Sequence, residues 1–168
     1  MIILVTGDYG VGKDTFSDIL VREFNKKDSD SAQKILSYTT RPPRDDEDLN
    51  NHKFVNPKGL YLERSPWIVA HTTINGYDYW TDISQFTKKY NIYVIDRESI
   101  VQVMKNTTEE LFIVEIERNT ELITVSKERM NREKKASKAP LDSFIIKNNG
   151  TIQDLEKQAQ TVVKLFFE

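Results

Sequence analysis

Nine consecutive residues near the start of the chain, Gly7-Asp8-Tyr9-Gly10-Val11-Gly12-Lys13-Asp14-Thr15, have the types and spacing that bind phosphate. Gly7, Gly10 and Gly12 let the backbone turn tightly and bring its N–H groups up to phosphate oxygens, where a side chain would clash. Lys13 supplies a point charge for the outer phosphates of a triphosphate, and a helix beginning there adds the positive end of its dipole. The candidate donor-binding set is Gly7, Gly10, Val11, Gly12, Lys13, Asp14 and Thr15. In such loops a Ser or Thr usually follows the lysine and meets magnesium through its hydroxyl. Here Asp14 stands in that place and Thr15 comes next. Asp14 reads either as a carboxylate separated from the phosphates by magnesium or water, or as an ordinary helix-capping residue.

A second segment with chemistry is Ser37-Tyr38-Thr39-Thr40-Arg41-Pro42-Pro43-Arg44. Two arginines held three apart by prolines form a stiff pair, and guanidinium groups grip phosphate bidentately. The pair suits a second, smaller phosphate ester. Alternatively, it is a solvated turn paired with Asp45-Asp46-Glu47-Asp48, which follows directly.

The elements that must position these segments show in the hydrophobic pattern. Continuous apolar runs, rather than alternating ones, mark strands covered on both faces. Such runs at 2–6, 34–38, 92–96, 111–116 and 143–147 predict five parallel strands. Phe16, Ile19, Leu20 and Phe24 recur at helical spacing, predicting an amphipathic helix from 13 to about 25. Further helices are expected at 97–106, 121–132 and 151–167, the last with a Thr–Asp start suited to capping. Alternating strands and helices imply an α/β fold, an open, doubly wound five-stranded parallel sheet. Residues from about 39 to 81 break that rhythm with turn residues and aromatics. Short strand-like pieces at 53–55, 67–73 and 77–80 predict a small mixed-β insert there. A charge run at about 126–139 reads as a helix end plus a short lid, so residues 1–168 are expected to form one domain.

Composition narrows the classes. With 24 Lys and Arg against 26 Asp and Glu, the net charge is −2, which argues against a nucleic-acid binder. The chain has no cysteine, which excludes thiolate catalysis and disulfides, and its two histidines argue against a multi-His metal site. No apolar run approaches the roughly 18 residues of a membrane span. The opening apolar run lacks a basic lead-in, so a cytoplasmic protein without a membrane partner is expected.

Together the two chemical segments resemble the guanylate kinase family of nucleoside monophosphate kinases. The family's phosphate loop is matched by Gly7, Gly10, Gly12 and Lys13, and its Ser-x-Thr-Thr-Arg-x-Pro-Arg segment by Ser37, Thr39, Thr40, Arg41, Pro43 and Arg44. Weaker likenesses are Gly76-Tyr77-Asp78-Tyr79, Ile95-Asp96, Arg129 with Arg132, and residues 142–148. The resemblance implies transfer of the ATP γ-phosphate to a nucleoside monophosphate, with ATP and Mg2+ as cofactors. It implies that Lys13 and its loop hold ATP, and that Thr15 lies near the magnesium. Ser37, Arg41, Arg44 and Tyr79 would hold the acceptor phosphate, Asp96 would lie near magnesium or the acceptor ribose, and Arg129 and Arg132 would close from the lid. A monomer or homodimer is expected.

Departures cluster where the family reads its base. The guanine-contacting glutamate falls on Ala70, and losing a hydrogen bond to a charged group costs about 1.5–3 kcal/mol. The acceptor therefore stays open: GMP, dGMP or another nucleoside monophosphate. His71, beside Ala70, reads either as a base-reading substitute or as a histidine satisfied locally. His52 occupies the position of a phosphate-packing tyrosine, or else is a surface residue. Asp96 reads as a site residue or as a helix cap. Two further functions fit the same residues: a catalytically weak nucleotide- or protein-binding module, and a kinase of another phosphorylated metabolite.

Overall fold

The computed structural model describes residues 1–43, 52–56, 67–119 and 142–167. In chain order its elements are β1 (Ile2–Gly7), α1 (Lys13–Lys27), β2 (Ala32–Ile35), β3 (Tyr38–Thr39), β4 (Lys53–Phe54), β5 (Ile68–Ile74), β6 (Tyr77–Asp82), β7 (Tyr90–Val94), α2 (Arg97–Asn106), β8 (Leu111–Glu117), β9 (Phe144–Lys147) and α3 (Ile152–Lys164). The first sheet has the order β2-β7-β1-β8-β9, and every pairing in it is parallel. β1 is central, with Ile3 beside Ile92 on one flank and Phe112 on the other. All six of its residues are buried, which explains the unbroken apolar run that opens the chain.

Helices cover both faces. Ile3 and Val5 pack with Phe16, Leu20 and Phe24 of α1 and with Leu155, Ala159, Val162 and Val163 of α3. Ile2 and Leu4 point the other way, toward Ile100 and Val103 of α2 and Val69 of the second sheet. Burying each of these Val, Leu, Ile and Phe side chains is worth about 1.5–3 kcal/mol. β1 and β7 are neighbours, yet α1 leaves β1 over one face while α2 leaves β7 over the other. Their carboxyl ends therefore diverge, and such a switch point opens a crevice at the sheet edge.

The second sheet lies between β2 and β7 in the chain and has the order β4-β3-β6-β5. β5 and β6 form a hairpin through Asn75 and Gly76, whose φ of 54° and 78° fit a tight turn with two left-handed residues. β5 is the sheet edge, and α2 runs beside it. Gln102 accepts from the His71 N–H (3.0 Å) and donates to the His71 carbonyl (2.9 Å), while Asn106 donates to the Val69 carbonyl (3.1 Å).

The expected run at 34–38 divides between the sheets. β2 ends at Ile35, buried in the core beneath α2, and the chain crosses to β3 at Tyr38. The Leu36 carbonyl in the crossing accepts from Gln85 Nε2 at 2.8 Å. A short apolar run carries no mark of which sheet each half joins. β7 starts two residues earlier than the run at 92–96, because the N–H groups of Tyr90 and Asn91 donate to Ser31 and Met1. α3 is capped as its Thr–Asp start suggests, with Thr151 and Asp154 forming a reciprocal capping box. The expected helix at 121–132 and the lid at about 126–139 lie outside the described residues. No helix among the described residues is long and apolar enough to cross a membrane.

Candidate active site

The phosphate loop sits where β1 ends at the crevice. Gly7, Gly10 and Gly12 all have positive φ, at 139°, 78° and 97°. Two of them also lack room for a side chain. A Cβ on Gly7 would lie 2.3 Å from the Ile116 carbonyl oxygen of β8, and one on Gly12 would lie 2.6 Å from the Asn148 side-chain nitrogen. Asn148 donates to the Val11 carbonyl (2.7 Å), while the Val11 side chain is buried in the core. The loop is thus pinned from beneath at its middle.

Lys13 opens α1 and folds back, its Nζ donating to the carbonyls of Gly7 (2.7 Å) and Asp8 (2.8 Å). Gly12, not Asp14, is the N-cap of α1, and no side chain caps that end. Asp14 instead faces Lys34 of β2 at 3.1 Å, and Lys34 also holds Asp18 at 3.0 Å. The capping alternative for Asp14 is therefore replaced by a cross-element ion pair. Thr15, next in the first turn, is exposed.

At the neighbouring strand end, Asp96 is the N-cap of α2. Its carboxylate accepts from Ser99 N–H (2.9 Å) and Ser99 Oγ (2.8 Å). The capping alternative is thus realised, and each carboxylate oxygen still has a lone pair to offer. Beside it, Arg97 donates from Nε (2.9 Å) and Nη2 (2.6 Å) to Glu115 Oε1 of β8, and from Nη1 (2.5 Å) to Asp8 in the loop. Burial works against this guanidinium's charge, but the two carboxylates outweigh it and hold its pKa above the ordinary arginine value. Sequence reasoning missed both partners. The signal was there: Glu115 is an acid flanked by Val114 and Ile116 within an apolar strand.

The second cluster is built on the second sheet. Directly paired residues share a face and neighbours along a strand alternate, so Thr39, Phe54, Thr72 and Tyr79 share one face, with Ala70 and Thr81 next along it. Arg41, mostly buried at 8% exposed, donates from Nε to the Tyr79 hydroxyl at 3.0 Å and lies 5.5 Å from the centre of the Phe54 ring. Its own backbone N–H is held by Thr39 Oγ1 at 3.1 Å. His52 packs edge-on against Tyr79 and Phe54, at 5.7 and 6.0 Å between ring centres. Deeper on this side, the Ser37 and Thr81 hydroxyls approach to 3.4 Å. Burial pushes the Tyr93 pKa up, with hydrogen bonds from Thr81 and Ser37 opposing and the nearby Asp96 charge adding to the rise.

His71 stands apart from that group. It pairs with Trp80, so it shares the opposite face with Trp80, Tyr38 and Asp78, and its Nε2 bonds Asp78 Oδ1 at 2.9 Å. Of the acceptor candidates, the structure brings Ser37, Arg41, His52 and Tyr79 to one face and leaves His71 on the other. Ala70, one residue away, lies on the Tyr79 face. The local, satisfied reading of His71 is the one its geometry matches. Arg44, Arg129 and Arg132 lie outside the described residues. Among the described residues no three His, Asp or Glu side chains converge as a metal site.

The sequence matches no protein-family model and no curated protein. Among solved structures, the chain is similar to guanylate kinase from Anaplasma phagocytophilum. The likeness has a TM-score of 0.67 at 18% identity and covers 99% of this chain and 85% of that one. At that identity the likeness establishes the fold, which is that of guanylate kinase: a parallel α/β sheet with a smaller mixed sheet set between two of its strands.

Proposed function

We propose that this protein is an ATP-dependent nucleoside monophosphate kinase, residues 1–168 acting as one domain with an acceptor-binding insert at about 39–81 and a lid at about 126–139. The observation that carries the reading is the loop at the end of β1: three glycines with positive φ, two without room for a Cβ, followed by Lys13 at the start of α1. That arrangement presents backbone N–H groups and an ammonium to phosphate oxygens and has little other use.

In this reading the loop and Lys13 hold the ATP phosphates. A charged phosphate oxygen offers the Lys13 ammonium a stronger hydrogen bond than the neutral Gly7 and Asp8 carbonyls do. Arg41 and Tyr79, with Ser37 and His52 on the same face, take the acceptor phosphate. Phosphoryl transfer needs little covalent assistance, so in-line placement and charge neutralisation supply most of the acceleration. Arg44, Arg129 and Arg132 would add positive charge around the migrating group.

The described residues fit magnesium as a companion of the nucleotide rather than as a resident ion, since their oxygen donors are few and no three acids converge. Magnesium brought in with ATP neutralises phosphate charge. The Thr15 hydroxyl and the Asp96 carboxylate are the residues that would hold it or its waters.

The acceptor is GMP, dGMP or another nucleoside monophosphate. Ala70, buried on the Tyr79 face, offers a base no carboxylate. The test is an ADP-release assay with ATP and magnesium across a panel of ribo- and deoxynucleoside monophosphates. Turnover with at least one of them supports the reading, and the preferred base reports what replaces a charged acceptor at position 70. ATP binding without turnover on any monophosphate would reject it.

A further inference from the structure

The loop assigned to the donor holds two acidic residues, Asp8 and Asp14; Lys34 answers Asp14, and Arg97 reaches Asp8. We propose that Arg97 is a positioning residue of the phosphate loop, holding Asp8 in place and cancelling its charge beside the donor nucleotide. This role rests on the donor-binding reading given under Proposed function.

Arg97 is poorly placed for its own helix. It is the first residue of α2, where the dipole favours acids and disfavours a cation. Its side chain is only 12% exposed, so its charge is also largely removed from water. Both handicaps are offset by two carboxylates reaching it from different elements, Glu115 from β8 and Asp8 from the loop. Glu115, 13% exposed, takes two donors on one oxygen and so fixes the guanidinium plane. That leaves Nη1 aimed at Asp8, whose side chain is 60% exposed. The buried pair is the anchor and the exposed acid is what it holds.

Asp8 is held a second time through its carbonyl, by Lys13. A phosphate that draws Lys13 away would remove that tie and leave Arg97 as the restraint on Asp8. Lysine could not replace arginine here, because one ammonium cannot present three donors in a plane to two carboxylates.

The test combines amide hydrogen exchange across residues 9–12 with titration calorimetry of Mg·ATP, on the wild-type chain and on Asp8→Asn, Arg97→Met, Arg97→Lys and the double variant Asp8→Asn/Arg97→Met. Asp8 is exposed, so Asp8→Asn folds even if an Arg97 variant does not. Loop exchange should quicken by about tenfold in each single variant, since a local tie is lost, and the double variant should be no faster than the singles because they remove one interaction. Arg97→Met should also weaken Mg·ATP by about tenfold or more, two carboxylates then facing the phosphates uncompensated. Unchanged exchange in Asp8→Asn, additive effects in the double variant, or wild-type exchange in Arg97→Lys would each overturn the proposal. These readouts need no turnover: a chain that binds ATP and responds as expected but phosphorylates no monophosphate refutes the kinase reading alone. Intact turnover with unaltered loop exchange refutes Arg97 alone. A wild-type chain that binds no Mg·ATP refutes both.

Discussion

In the proposed reading the donor side of the molecule is made of backbone, and the acceptor side is made of side chains. Around β1 the groups that would meet phosphate come from one stretch of nine residues, shaped by glycines and pinned beneath by Val11 and Asn148. On the second sheet the cluster draws Arg41 and Tyr79 from positions 38 apart and His52 from between them. A backbone site tolerates change at most side chains but almost none at its glycines. A side-chain site tolerates backbone drift but depends on which face each strand residue points to. The two halves should therefore fail in different ways when mutated.

Lys13→Ala is the largest expected effect, because it removes the ammonium that the loop would present to the donor phosphates. Turnover should fall by about a thousandfold or more, equivalent to roughly 4 kcal/mol of transition-state stabilisation. The melting temperature should scarcely move. Retained turnover would abolish the distinction drawn above, since the loop would then not be the donor site.

Gly7→Ala tests the backbone half by its opposite property. The added Cβ meets the Ile116 carbonyl at 2.3 Å, and φ is 139°. Denaturant unfolding should show a loss of about 3 kcal/mol or more, the scale of a backbone forced out of place. A variant as stable as the parent would mean that the loop is looser than its packing against β8 implies.

Arg41→Ala should separate the halves most cleanly. The acceptor KM is expected to rise by about tenfold or more, since a charge-assisted contact is worth about 1.5–3 kcal/mol. The ATP KM should stay within about twofold. A selective loss of ATP affinity instead would exchange the two sites.

The smallest expected effect belongs to His71→Ala. It faces away from Arg41 and Tyr79 and is tied to Asp78, so acceptor KM should change by less than about twofold, whereas His52→Ala should raise it visibly. Equal effects from the two histidines would show that strand register is a poor guide to this site.

The same contrast explains what could be read from the residues alone. The donor loop, the strand beneath it and α1 follow from local rules: glycine spacing, a lysine at a helix start, and an apolar run covered on both faces. The parallel sheet and the strand pieces at 67–73 and 77–80 were legible for the same reason. The acceptor side was legible only as chemistry. The types Ser, Arg, Tyr and His can be recognised one by one, but their shared face is set by pairings such as Tyr79 with Thr39 and Thr72. A shift of one residue exchanges the faces, which is how His71 and Ala70 could not be told apart. Arg97 escaped notice because its value comes from Asp8 and Glu115, residues 89 and 18 positions away.

The carboxamides of Gln102 and Asn106 also bear on solubility. An unpaired strand edge is a template on which a second chain can add a strand. The outward backbone groups of Val69 and His71 are already engaged, those of His71 in both directions, by side chains that cannot propagate a ladder. Along this stretch of β5, α2 serves as a terminator for sheet growth, keeping the hairpin from recruiting its copies as protein concentration rises.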